Sequence, residues 1–370
     1  MSEYQYYEFR ALDKALSDAD QAYVRSLSSR GIVSATTARF NYSYGDFRGD
    51  PEKLIDRCFD LMLYVANFGT RQLMIRLPKT LVSLTAFKPY CDDHSISVSS
   101  TSKSVILDIN LNAEDYYTWI EDEEDWLSGL VALREEILKG DFRLLYLAWL
   151  RSGFVEDGGN DPEDMPEPPV PPNLKQLSPA LKSFAELFLI DADLIAAAAE
   201  GSPTLKEAEE PIEEWIAVLP EAERNRYLLR VIKGDAHVGA ELMQYLRKIN
   251  DSKPISACVT TERTLADLIE SAQDQQKQRT QKEQAMATKA RRKQLEAISP
   301  KVDSLWERIH QLIAQKQASP YEEAVNLLKD LQDLAELKGT QGRFQEKIVQ
   351  LKRDYSNRPG LLTRLQKAHI

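Results

Sequence analysis

Apolar positions change period several times along the first 111 residues. Tyr4 to Leu12 gathers aromatic and β-favouring residues ahead of the polar Asp13 and Lys14, which predicts a strand. A helix is expected from there to about Ser29, and Val33 to Tyr44, rich in Thr, Phe and Tyr, predicts a second strand closed by the turn Gly45 to Gly49. Asp50 and Pro51 then start a helix. The Asp50 carboxylate can accept a hydrogen bond from a free backbone N–H, and Pro51 sits where no N–H is needed. Leu54, Ile55, Cys58, Phe59, Leu61, Met62 and Val65 recur at helical spacing, so this helix is expected to run on until Gly69 ends it. Arg71 to Leu77 reads as a short strand halted by Pro78. Between residues 95 and 111, the alternation of Ile96, Val98, Val105, Leu107, Ile109 and Leu111 predicts a hairpin.

Beyond about residue 115 the apolar residues fall on helical period. Trp126 to Leu138 and Phe142 to Leu150 predict two helices, and 179–190, 192–200, 211–219, 222–232 and 238–249 predict a run of shorter ones. Between the two groups, residues 156–172 hold six acids, six prolines and no base, a composition expected to form an exposed loop. From Glu262 to about Ile298 the chain is rich in helix formers, yet Gln273 to Gln284 contains no apolar residue, so a solvated helix is expected rather than a coiled-coil seam. Ser299-Pro300 breaks it. Three amphipathic pieces follow, marked by Val302 to Ile313, Ala324 to Ala335 and Phe344 to Tyr355, and expected to pack as antiparallel helices. The fold class expected is α+β. A mixed α/β domain at 1–115 is followed by an acidic all-helical domain at 116–250, then at 251–370 by a basic long helix and a C-terminal antiparallel helical hairpin or bundle.

Length supports several domains, because 370 residues exceed the roughly 250–300 at which a single core stops growing. With 43% hydrophobic and 28% charged residues the chain has an ordinary globular composition. Charge is uneven: residues 1–250 carry 26 Lys+Arg against 42 Asp+Glu, a net of −16, and residues 251–370 carry 21 against 16, a net of +5. The acidic stretch, with 21 acids and 7 bases between 101 and 200, repels nucleic acid and anionic lipid. Cys58, Cys91 and Cys258 are too far apart for a disulfide framework or a CxxC metal knuckle. The start lacks a basic region followed by an apolar stretch, and no window approaches the ~18 apolar residues of a membrane span. A cytoplasmic protein is therefore expected.

Candidate chemistry is sparse. His94, His237, His310 and His369 lie far apart, and in Cys91-Asp92-Asp93-His94 the adjacent residues cannot all face one ion, so a polar turn is expected there. No phosphate-binding glycine motif is present, and Gly45 to Asp50 reads as a capping turn. Glu121 to Asp125 lacks the spacing of a calcium loop. No catalytic, cofactor or metal residue is assigned. Lys277, Arg279, Lys282, Lys289, Arg291, Arg292 and Lys293 crowd the long polar helix, opposed within that span only by Glu283. They are the candidate site, for nucleic acid or for an acidic partner, the chain's own acidic middle included. No aromatic residue interleaves them, which argues against base stacking.

Tyr4 to Asp13, Gly45-Asp46-Phe47 with Gly49-Asp50-Pro51, Tyr64 to Thr70, and the stretch from Ala324 to Leu334 resemble an uncharacterised family of bacterial proteins, over most of the chain. The resemblance implies a bacterial origin and an association with zinc-finger proteins of the SWIM type, which bind nucleic acid or protein; it carries over no functional residue. The function expected is a non-enzymatic adaptor or accessory subunit of a multiprotein assembly that binds a partner protein through helical surfaces. The alternative is a nucleic-acid-binding component of a defence or repair system acting through residues 277–293, its mark being affinity that falls steeply with salt and is lost on charge reversal at Arg291, Arg292 and Lys293. A third class, an enzyme whose site assembles only in three dimensions, would be pointed to by a deep pocket lined by Arg30, Arg39, Tyr42, Tyr44, Asp46 or Arg71.

Overall fold

The computed structural model describes residues 3–43, 45–92, 94–112, 125–154, 161–205, 210–250 and 258–370. The chain is mixed α+β with a helical C-terminal part, and divides into two compact units, residues 1–275 and 276–370.

In the N-terminal unit, seven strands form one antiparallel sheet among the described residues: β1 (Tyr4–Arg10), β2 (Ile32–Val33), β3 (Thr37–Ser43), β4 (Leu61–Ala66), β5 (Arg71–Pro78), β6 (Ile96–Ser100) and β7 (Ser104–Leu111). Their order is β2-β3-β1-β4-β5-β7-β6. Helix α1 (Asp18–Leu27) is capped by Ser17, which accepts from the Asp20 N–H, and α2 (Pro51–Arg57) by Asp50, which accepts from the Lys53 N–H. A short α3 (Leu84–Phe87) follows β5.

The helix expected from Asp50 to Gly69 is a correction. It ends at Arg57, and Leu61–Ala66 is the strand β4, paired with β1 on one side and β5 on the other. Leu61, Leu63 and Val65 face one core and Met62 the other. A strand buried on both faces has no polar alternate positions, so its period of two disappears and Leu-Met-Leu-Tyr-Val simply prolongs the apolar spacing of α2.

The sheet's two faces pack differently. One is covered by α1, α2 and Phe47, burying Phe9, Phe40, Leu54, Ile55 and Met74. The other packs against α4 (Ala132–Leu138), α5 (Arg143–Ser152), α6 (Pro179–Leu187) and α7 (Ala192–Glu200), and this core continues into Leu265, Leu268 and Ala272. The boundary expected at residue 115 therefore does not separate two cores, and the unit runs past 250 to residue 275. Three further helices, α8 (Ile212–Val218), α9 (Glu221–Ile232) and α10 (Val238–Ile249), complete it before α11 (Leu265–Ile298) begins.

The exposed loop expected at 156–172 is also corrected where it is described. Residues 156–160 lie outside the described residues, and 161–164 form an exposed turn, but Met165, Glu167 and Val170 are buried. This segment lies beside residues 259–265: Val170 and Val259 exchange backbone hydrogen bonds of 2.8 and 3.0 Å, and the Glu167 N–H donates to the Arg263 carbonyl at 2.9 Å. Proline removes donors but not carbonyls, so an extended proline-rich segment can be held through its remaining groups. The Glu167 carboxylate is satisfied inside by Arg263, at 2.7 and 2.8 Å, and by the hydroxyls of Tyr146 and Thr261.

Asp108 of β7 is a half-buried carboxyl with one side-chain donor among the described residues, Gln72, at 2.9 and 3.0 Å. Burial pushes it up to about 6, against a smaller lowering by Gln72. The folded chain thus holds this proton more tightly than the unfolded one, and stability falls as pH rises from the ordinary carboxylate range through about 6. Asp108→Asn keeps an acceptor for Gln72. It is expected to raise stability at pH 7 by about 1–3 kcal/mol, at about 1.4 kcal/mol per pKa unit, and to flatten the slope between pH 4 and 6 in urea melts.

In the C-terminal unit, α12 (Val302–Ala314), α14 (Gln341–Asp354) and α15 (Pro359–Lys367) all pack on α13 (Ala318–Lys338) around Trp306, Ile309, Leu328, Ile348 and Leu361. The expected hairpin is thus enlarged by α15, which the sequence pattern did not mark. Gly339, at φ 69°, takes the left-handed conformation that ends α13 and lets α14 turn back.

Candidate functional site

The basic stretch of α11 is where the sequence places it, on a helix exposed on all sides between 276 and 290. Its seven residues do not form one set. Arg291 is half-buried and pairs with Asp330 and Asp333 of α13, at 2.7 and 2.5 Å, and these bonds raise its pKa further. Arg292 pairs with Glu296 one turn on at 2.9 Å. Lys277 and Arg279 are exposed and engaged in further contacts. Among the described residues, Lys282, Lys289 and Lys293 stand without a hydrogen bond or ion pair. Arg291→Ala is expected to lower the C-terminal unit's stability by about 1 kcal/mol, and Lys289→Ala by nothing measurable, in thermal melts. Charge reversal at Arg291 would damage the fold as well as any binding surface, so Lys282, Lys289 and Lys293 are the cleaner probes.

A second feature escaped the sequence reading. On α9, Leu228, Leu229, Val231 and Ile232 are 55–80% exposed, and on α8 Val218 is 84% exposed. Of the fourteen large apolar residues exposed among the described residues, seven fall between 212 and 249. Leu228, Leu229 and Ile232 share one face of α9, while Tyr227 points inward and is buried. Adjacent apolar residues on one short helix cannot all face inward, so the run Tyr227-Leu228-Leu229-Arg230-Val231-Ile232 was itself the signal. Scattered exposed leucines mean little, but a continuous apolar helix face marks an interaction surface.

α8 and α9 both pack on α10, and α10 is fixed to the sheet domain by polar anchors. Gln244 donates to the Leu81 carbonyl at 2.7 Å. At the start of α10, His237 takes a left-handed conformation, φ 60°, and its Nε2 lies 2.8 Å from an Asp13 oxygen. Arg134, 1% exposed, grips Asp13 with two bonds of 2.7 Å and reaches Asp60 at 3.3 Å. Asp60, fully buried, also accepts from Arg76 at 2.7 Å and from the backbone N–H groups of Leu12 and Asp13. Burial opposes ionisation at Asp13, yet the bonds from His237 and Arg134 outweigh it and hold the carboxyl well below the usual carboxylate range.

A third feature answers the enzyme question partway. Arg30, Tyr42 and Asp46 line one polar pocket of about 510 Å³ with Ser26, Ser28, Ser29 and Arg48. Arg39 lies on the other sheet face, paired with Glu8 and Asp125 at 3.1 and 3.0 Å; Arg71 is buried in β5; Tyr44 lies outside the described residues. Asp92 does form a polar turn, accepting from the backbone N–H groups of His94, Ser95 and Ile96. Asp93 and Glu121 to Glu124 lie outside the described residues. Among the described residues no cluster of three or more metal-ligating side chains occurs, and no helix is long and apolar enough to cross a membrane. No protein family, curated protein or solved structure matches the chain.

Proposed function

We propose that the chain is a non-enzymatic adaptor or accessory subunit, and that it docks a partner protein on the apolar surface of α8, α9 and α10. The observation that carries this reading is the exposure of Leu228, Leu229, Val231 and Ile232 on one short helix. Leaving such side chains in water forgoes about 1.5–3 kcal/mol each, a cost that binding recovers. The rigid seat of α10 holds the surface in place before the partner arrives. A ridge of this kind suits an amphipathic partner helix laid across it, with anchors at positions i, i+3, i+4 and i+7. A SWIM-type zinc-finger protein is the partner implied by the resemblance of the N-terminal motifs.

The exposure of Lys282, Lys289 and Lys293 supports the second reading, a nucleic-acid contact. Purification of the tagged chain from its native host, with and without nuclease, separates the two. A stoichiometric protein that survives nuclease supports docking; partners lost with the nucleic acid overturn it.

A further inference from the structure

Among the chain's cavities, the polar pocket beside the C-terminal end of α1 has two guanidinium groups on its wall, Arg30 and Arg48, that the described fold leaves unused. It is walled by Ser26 and Leu27 at the end of α1, by Ser28, Ser29 and Arg30 after it, by Tyr42 of β3, and by Gly45, Asp46 and Arg48 of the turn before α2. Two observations point to a ligand there. Arg30 and Arg48 are exposed and, among the described residues, their guanidinium groups have no hydrogen bond or ion pair, whereas Arg10, Arg39 and Arg76 of the sheet and Arg57 of α2 all grip carboxylates. The volume, about 510 Å³, falls in the range of small-molecule sites.

The charges select the ligand class. Two guanidinium groups face a single carboxylate, Asp46, which already accepts from the Gln5 side chain at 3.1 Å. The partial negative charge of the α1 C-terminus, about half a unit, does not cancel the remainder. Planar guanidinium forks match phosphate oxygens. The rest of the wall is hydroxyls and one carboxylate, suited to a sugar's hydroxyl groups, with Leu27 and Tyr42 as its only large apolar side chains. Inorganic phosphate alone would leave most of the volume empty.

We infer that this pocket binds a small sugar phosphate, with the phosphate held between Arg30 and Arg48 and the sugar hydroxyls meeting the serines and Asp46. The site makes the chain responsive to a phosphorylated metabolite; it assigns no reaction to it. The test is calorimetric titration of the full chain with ribose 5-phosphate, glucose 6-phosphate, the two parent sugars and inorganic phosphate. At least one sugar phosphate is expected to bind, more tightly than inorganic phosphate and with its parent sugar silent. Arg30→Gln and Arg48→Gln should each weaken binding about tenfold or more without moving the melting temperature, because both side chains are exposed. Failure of both sugar phosphates to bind, binding no better than inorganic phosphate, or binding unchanged in both arginine variants overturns the assignment. None of these results touches the α9 surface, so the docking proposal stands or falls separately.

Discussion

Arg134→Met is expected to destabilise the N-terminal unit by about 3–5 kcal/mol, the usual cost of stripping one partner from a buried ion cluster. Methionine fills a similar volume, so the loss is electrostatic rather than a cavity. It strands Asp60, which is fully buried and keeps, among the described residues, only Arg76 as a cationic partner, and weakens the clamp on Asp13. The pH dependence distinguishes this from a packing defect. Asp13 is held below its ordinary value in the folded chain, so its contribution is present above the ordinary carboxylate range and is lost as pH falls through the folded value. The difference between native and variant chains in urea melts should be largest near pH 7 and shrink on acidification below about pH 4. A deficit that is independent of pH would mean that Arg134 acts by packing alone. Because His237 meets Asp13, α10 should also lose amide-exchange protection at its first turn in the variant.

The second large effect concerns binding. Leu229→Asp combined with Ile232→Asp is expected to weaken partner binding at least a hundredfold, since central apolar anchors of an interface are each worth about 2 kcal/mol or more. Both side chains are exposed, at 55% and 80%, so the free chain should melt at or above the native temperature. Stability retained while binding is lost separates a docking surface from a structural one. Titration of the captured partner by calorimetry, beside a thermal melt of each variant, checks both halves.

How much of this was legible in the sequence depends on whether a residue's role is local. Caps are local: Asp50 before Pro51 marked the start of α2 correctly, because the donor it satisfies lies three residues on. The end of that helix was not legible. Whether Leu61 to Val65 becomes helix or strand is decided by β1 and β5 closing on it from either side, contacts that no local spacing encodes. The burial of Glu167 is of the same kind, since Arg263 lies 96 residues away in the chain. The basic run on α11 was legible as charge, but its division into structural and unpaired residues required α13, which supplies Asp330 and Asp333 to Arg291. Arg30, Tyr42 and Asp46 were singled out as residues worth finding together, and Arg48, which completes the cationic pair, was not. The α9 surface could have been found. Leu228, Leu229, Val231 and Ile232 within five positions exceed what one buried stripe of a surface helix accommodates.

The central claim, that α8, α9 and α10 form a docking surface for protein, is tested most directly by nuclease-treated co-purification from the native host of three chains: native, Leu229→Asp/Ile232→Asp, and Lys282→Glu/Lys289→Glu/Lys293→Glu. The account predicts a stoichiometric protein retained by the native chain and the charge-reversed chain and lost from the α9 variant. Retention by the α9 variant, with loss on charge reversal or on nuclease treatment, would contradict it and move the binding surface to α11.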